Sequence, residues 1–189
     1  YMQDNQTLFR KRWVNTRIIE GYLKKRHQPE AKPMNIPSGS TVVYTAIAGD
    51  YDELKEQIPT CREGTEFVAF LEKPVASETW KYRKVHAEFR EPNRNAKIHK
   101  VMPHLFFPDK QYSLWIDGSV RIEFPFTVER LIEIYLADCD LALFNHPDRN
   151  CIYQEASACI SRKLDDPDVI SSQIQRYTRA GYPANHGLC

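Results

Sequence analysis

Short β-rich apolar runs recur along this chain, and helical patterns fill most of the intervals between them. Thr41-Val-Val-Tyr-Thr-Ala-Ile47 and Glu66-Phe-Val-Ala-Phe-Leu71 are near-continuous hydrophobic stretches of strand length. Residues 112–117 and 140–144 read the same way. Residues 80–86 alternate, with Trp80, Tyr82 and Lys84 on one face. Runs that are apolar throughout suit strands covered on both faces. Alternation with helices predicts an α/β fold, a mostly parallel, partly mixed sheet with helices on both faces.

The helices follow from period and punctuation. Residues 93–106 carry a stripe of Ile98, Val101, Met102 and Leu105, with Pro103 set to kink the helix or end it. Thr127 is placed to cap a helix whose inner face is Leu131, Ile132, Tyr135 and Leu136. A helix is expected from Asn150 to about Lys163, and Asp166-Pro167 opens a last one that Gly181 closes. Near the N-terminus, residues 7–26 predict a basic amphipathic helix. Leu8, Trp13, Ile18, Ile19, Tyr22 and Leu23 form its apolar side. Such a helix packs on its own domain, on a partner protein or on an anionic membrane surface. Pro29, Pro33, Pro37 and Gly39 mark the linker that follows. The expected organisation is a basic helix and linker over 1–37 and one domain over 38–189, cut short at its C-terminal end.

Charge and cysteine usage exclude several classes. The formal net charge is +1, which argues against a general nucleic-acid binder. Residues 1–33 hold eight Lys/Arg against three Asp/Glu, so the excess is local. Cys61, Cys139, Cys151, Cys159 and Cys189 are odd in number and lack CxxC spacing. A zinc site or disulfide framework has little support, and a reducing compartment is the simpler reading. No apolar run reaches the ~20 residues of a membrane span. The GxGxxG, GxxxxGK[ST] and GxSxG patterns are absent, which disfavours dinucleotide-binding, P-loop and α/β-hydrolase chemistry.

Three clusters can carry chemistry. The strand 112–117 delivers Asp117, then Gly118 and Ser119, to a strand's carboxyl end, where open α/β sheets bind ligands. A carboxylate there can hold a divalent metal, and the metal a diphosphate; the plainer reading is a turn with Asp117 and Ser119 bonded to nearby backbone. Ahead of it, residues 81–100 hold seven Lys/Arg and two acids. Arg94 and Lys97 share a helix face, with Lys100 close behind. Such cations grip phosphate oxygens, or simply face solvent. Asn145-His-Pro-Asp-Arg149 follows another strand, and Glu155 stands beyond it; a turn and helix cap is the alternative. Ala48-Gly-Asp-Tyr-Asp52 is weaker, with an aromatic able to stack on a base.

These motifs, in order, resemble one family. Val43-Tyr-Thr-Ala-Ile-Ala-Gly-Asp-Tyr-Asp52, Pro92-Asn-Arg-Asn-Ala-Lys-Ile-His-Lys100, Pro103-His104, Trp115-Ile-Asp-Gly-Ser119 and His146-Pro-Asp-Arg149 carry the likeness, over about 41–188. It is the glycosyltransferase-like family of plant turgor-regulation-defect and seed-mucilage proteins and bacterial polysaccharide-locus proteins. The resemblance implies a GT-A-like nucleotide-sugar fold and transfer of a sugar to a polysaccharide or glycolipid acceptor. It implies that Arg94, Lys97 and Lys100 face the nucleotide sugar, that Thr45, Ala46, Asp50 and Tyr51 border the base, and that Asp117, Gly118 and Ser119 occupy the DxD-like motif. The implied cofactor is Mn²⁺ or Mg²⁺ held by Asp117 and Ser119. His146, Asp148 and Glu155 are the candidates for acceptor contact or proton transfer, with Asp117 in the catalytic set. Ser119 replaces the usual second acid, and a neutral hydroxyl is a weaker ligand for a hard cation. A non-catalytic binding or assembly module docked through the N-terminal helix is the alternative. The expected location is cytoplasmic and membrane-peripheral, or the Golgi lumen for a eukaryotic fragment.

Overall fold

A computed structural model of the chain describes residues 12–15, 33–49, 52–58, 61, 63–123, 126–146 and 148–187. The strands are β1 (Arg12–Asn15), β2 (Thr41–Ile47), β3 (Glu66–Leu71), β4 (Lys81–Lys84), β5 (Tyr112–Trp115) and β6 (Leu141–Ala142). The helices are α1 (Pro92–Val101), α2 (Pro103–Phe106), α3 (Val128–Tyr135), α4 (Ile152–Ser161) and α5 (Pro167–Arg179). The chain divides into two compact units, residues 1–143 and 144–189. No helix among the described residues is long and apolar enough to cross a membrane.

The first unit is built on one sheet in the order β4-β3-β2-β5-β1-β6, every pairing parallel. This is the α/β architecture expected. All seven residues of β2 are buried, as its uninterrupted apolar pattern requires of a central strand. Register separates the two faces. Val42, Tyr44 and Ala46 of β2 share a cluster with Val68 and Phe70 of β3, Trp115 of β5, Ala96 of α1 and Phe107. Tyr44 anchors it edge-on, 5.1 Å from Phe107 and 5.3 Å from Trp115. Residues of the opposite parity, Val43, Thr45, Phe67 and Leu114, are equally buried. On that side Trp80 stacks edge-on against Phe67 at 5.7 Å.

Parallel strands put all their carboxyl ends along one edge. From β2 the chain steps outward through β3 to β4, then returns to the other flank of β2 as β5. Strand order therefore reverses between β2 and β5. That switch point opens a crevice beyond their carboxyl ends, the usual ligand position in such sheets.

Several expectations need correction. The helix expected over 7–26 meets a strand at Arg12–Asn15, inserted between β5 and β6; the rest of that segment lies outside the described residues. Trp13-Val14 is a β-favouring pair, and sheet pairing outweighs a helical periodicity drawn from scattered apolar residues. Pro103 splits the helix expected over 93–106 at Met102. The apolar stripe is not the buried face: Val101, Met102 and Leu105 are exposed and Ile98 half-buried, while Asn95, Ala96 and His99 are buried. Asn95 explains the choice of face. Its side chain accepts from the N–H groups of Glu88 and Phe89 and donates to Phe89 O, so it satisfies a loop that would otherwise lose its partners.

The second unit is a pair of helices. Asp166 caps α5 by accepting from Asp168 N–H at 2.8 Å, with Pro167 in the first turn, as the sequence indicates. Thr127 caps α3 in the first unit likewise, accepting from Arg130 N–H.

Candidate active site

Asp117 stands at the switch point, just beyond the end of β5. Its Oδ1 accepts a 2.9 Å hydrogen bond from the indole Nε1–H of Trp115. Lys100, from the last turn of α1, places Nζ 3.8 Å from the same oxygen and 5.3 Å over the Trp115 ring. Both ionic side chains are partly buried, so solvent screens the pair less than it would a surface bridge. The carboxylate is thereby oriented by the indole hydrogen bond and held near a cation.

The turn after Asp117 is tightly constrained. A Cβ on Gly118 would lie 2.5 Å from Ile47 Cδ1, so the turn packs closely against the side chain at the end of β2. Ser119 donates through both its backbone N–H and its hydroxyl to Asp52 Oδ2, each at 3.3 Å. Lys55 N–H donates to Gly118 O at 2.9 Å. Asp52 lies in the loop after β2, so the loops following two adjacent strands meet across the crevice.

Among the residues singled out by sequence, Lys100, Asp117, Gly118 and Ser119 come together here. Arg94 and Lys97 project from α1 into solvent, Arg94 beside Glu91 at 3.8 Å. Gly49, at φ +78°, presses the loop after β2 against the first residue of that helix: an added Cβ would meet Pro92 Cβ at 2.6 Å. Thr45 and Ala46 are buried within β2 rather than on an open surface. Asp50 and Tyr51 lie outside the described residues. Asp52 belongs to the weaker candidate cluster 48–52, though as a contact to a base or ribose rather than to Ser119. Gln57 was not singled out, because a lone glutamine carries no signal.

The second unit holds its own polar cluster. The Arg149 guanidinium is bonded to the Glu155 carboxylate, and its Nη2 lies 2.7 Å from His146 Nε2. His146 Nδ1 faces the N–H groups of Asp148 and Arg149 at 3.1 Å each. Burial alone would push the Glu155 carboxyl up, but hydrogen bonds from Arg149 and Cys159 and the nearby cations hold it below its ordinary value. Glu155 is therefore a carboxylate at neutral pH. Asp148 is exposed.

The oxygen donors at the turn suit a hard cation. Among the described residues no group of three or more His, Cys, Asp or Glu could cage one. Asp117 and Ser119 could supply two oxygens of a Mg²⁺ or Mn²⁺ shell, with waters and substrate phosphates needed for the rest.

Parallel sheet, topological switch point and an acid opposite a helix-borne lysine define an α/β domain with its candidate site at the strands' carboxyl ends. Comparison with known proteins agrees. The family model described as TOD1/MUCI70, glycosyltransferase-like domain, matches residues 27–186, and the chain belongs to that family. It is 30% identical over 105 residues to the "Probable hexosyltransferase MUCI70" of Arabidopsis thaliana, a stretch that covers 54% of this chain and 18% of that protein. The chain thus spans under a fifth of that relative's length. No solved structure matches. The domain is glycosyltransferase-like, with the GT-A-like α/β fold that the motifs imply.

Proposed function

We propose that this domain transfers a sugar, a hexose by analogy with its relative's name, from a nucleotide-sugar donor to a glycan or glycolipid acceptor. The observation that carries the reading is the Lys100–Asp117 pair at the switch point between β2 and β5. In this reading the donor's diphosphate lies against the turn 117–119. Asp117 and Ser119 are the residues that would hold Mn²⁺ or Mg²⁺, and a bound cation would polarise the diphosphate and offset charge on the leaving nucleotide. Lys100, 3.8 Å from Asp117, is placed to meet a phosphate oxygen of the donor. Lys100 supplies the nearest positive charge as the glycosidic bond to the nucleotide breaks, the electrostatic part of the catalysis, and the solvent-facing Arg94 and Lys97 of the same helix add only to the field that draws an anionic donor in. Bases are needed for inverting transfer, and His146, Asp148 and Glu155 are assigned acceptor contact or proton transfer.

The test is donor turnover. Wild-type protein with Mn²⁺ and a panel of UDP- and GDP-hexoses should release nucleotide diphosphate, and Asp117→Ala and Lys100→Ala should each slow that release. Release that both variants leave unchanged would remove the assignment.

A further inference from the structure

Gln57 is almost wholly buried, 3% exposed, in an irregular crossover where most side chains face water. A buried amide is costly unless both ends are bonded. Both are. Its Nε2 donates to Val120 O at 2.8 Å and to Lys55 O at 3.3 Å, and its Oε1 accepts from Ile122 N–H at 3.1 Å. Val120 and Ile122 directly follow the Asp117-Gly118-Ser119 turn. The amide therefore grips the descending limb of that turn from inside the protein.

The grip is one end of a continuous clasp. Lys55 N–H holds Gly118 O, and Asp52 holds the N–H and hydroxyl of Ser119. Lys55 O also accepts from the Trp80 indole at 3.0 Å, and Gln57 O accepts from the Thr79 hydroxyl at 2.9 Å. Residues 52–57 are thus bonded to the turn on one side and to the segment before β4 on the other. A backbone N–H, a carboxylate and an amide on one strip of chain fix four consecutive or near-consecutive residues after Asp117. Groups that orient a ligand-bearing loop in this way typically set affinity by 10- to 100-fold without touching the ligand.

We propose that Gln57 is a positioning residue for the donor site: its buried amide, with Asp52, fixes the 117–122 turn in the shape that receives the nucleotide diphosphate. The inference rests on the reading of that turn as the diphosphate site. Without the amide, Val120 O and Ile122 N–H lose their partners, the turn relaxes toward water, and Asp117 and Ser119 no longer converge.

The experiment separates positioning from plain stability. Binding of UDP with Mn²⁺ is measured by calorimetry at 10 °C, and melting temperature in parallel, for wild type, Gln57→Leu, Asp52→Asn and Thr79→Val. Thr79→Val breaks a bond to the same residue, Gln57, on the side away from the turn. Gln57→Leu should weaken UDP–Mn²⁺ binding by about 10-fold or more, and Asp52→Asn should weaken it in the same direction. Thr79→Val should lower the melting temperature and leave affinity within about 2-fold, well inside the range ascribed to positioning groups. If Gln57→Leu does not fold, Asp52→Asn against Thr79→Val decides alone. Equal affinity in the Gln57 or Asp52 variant and wild type overturns the proposal, as does an affinity loss that follows melting temperature across all variants. Wild type that binds neither UDP nor GDP fails the site reading itself, a result distinct from either.

Discussion

The indole of Trp115 donates to the carboxylate of Asp117, two residues on, at 2.9 Å. The indole is itself buried against Tyr44, and Tyr44 against Phe107, so the acid at the crevice is aimed by the hydrophobic core. Rigidity is thereby passed from packing to chemistry. Trp115→Phe keeps an aromatic ring in the core and deletes only the donor. Loss of one hydrogen bond to a charged group is worth about 1.5–3 kcal/mol. Nucleotide-diphosphate affinity should fall by about 10-fold or more while the far-ultraviolet circular dichroism is unchanged. A variant that binds as well as wild type would show the indole to be packing alone.

Lys100 and Asp117 neutralise one another in the absence of donor. Deleting either charge removes a partly buried ion-pair attraction, with costs in both folding and ligand binding. Asp117→Asn should lower sugar-nucleotide turnover by on the order of 100-fold. Lys100→Met should do the same and also weaken UDP binding measured without metal. The double variant should lose less than the sum of the two, because the pair shares one interaction.

Gly49 has φ +78° and no room for a Cβ beside Pro92. Gly49→Ala combines left-handed backbone strain with an overpacked contact, together about 2–4 kcal/mol. Chemical denaturation should show that loss with an unchanged m-value. Since the contact joins the loop after β2 to the start of α1, nucleotide binding should weaken as well.

His99 is buried against Phe70 and Phe106, with ring centroids 4.1 and 4.2 Å away. Burial pushes its imidazole down to about 4, against a backbone hydrogen bond to Asn95 that favours the cation and the nearby His86 that opposes it. An unfolded histidine titrates near 6.5. Between those values the unfolded chain binds more protons, so stability rises with pH there. His99's contribution is complete above about pH 6.5 and is lost as pH falls toward 4. Melting temperature should decline over that interval, and His99→Phe should flatten the decline. Parallel curves for the two proteins would assign the acid sensitivity elsewhere.

The strands were the most legible part of the sequence, because a strand covered on both faces leaves an unbroken apolar run, as in 41–47 and 66–71. Caps were legible for a local reason: Thr127 and Asp166 bond backbone N–H groups two or three residues away. What failed was decided at long range. Arg12–Asn15 pairs with strands a hundred residues later, and no local pattern records that. The inner face of α1 was misread because it is polar: Asn95 and His99 are buried for their hydrogen bonds, while the apolar Val101 and Leu105 face out. Asp117 and Ser119 could be read as site candidates from a strand-end motif and a family likeness. Lys100 could be placed near them only by helix spacing. Asp52 and Gln57 act through partners more than sixty residues away, so their roles emerge only from the fold.

The central claim is that the turn at Asp117 receives a nucleotide diphosphate. The measurement that meets it most directly is a calorimetric titration of UDP and GDP, with and without Mn²⁺, into wild type and Asp117→Asn. Saturable binding of one nucleotide to wild type, strengthened by Mn²⁺ and reduced at least 10-fold by the substitution, is the expected result, a difference of about 1.4 kcal/mol. Wild-type binding that Asp117→Asn leaves untouched, or no binding of either nucleotide at millimolar concentration, would contradict it.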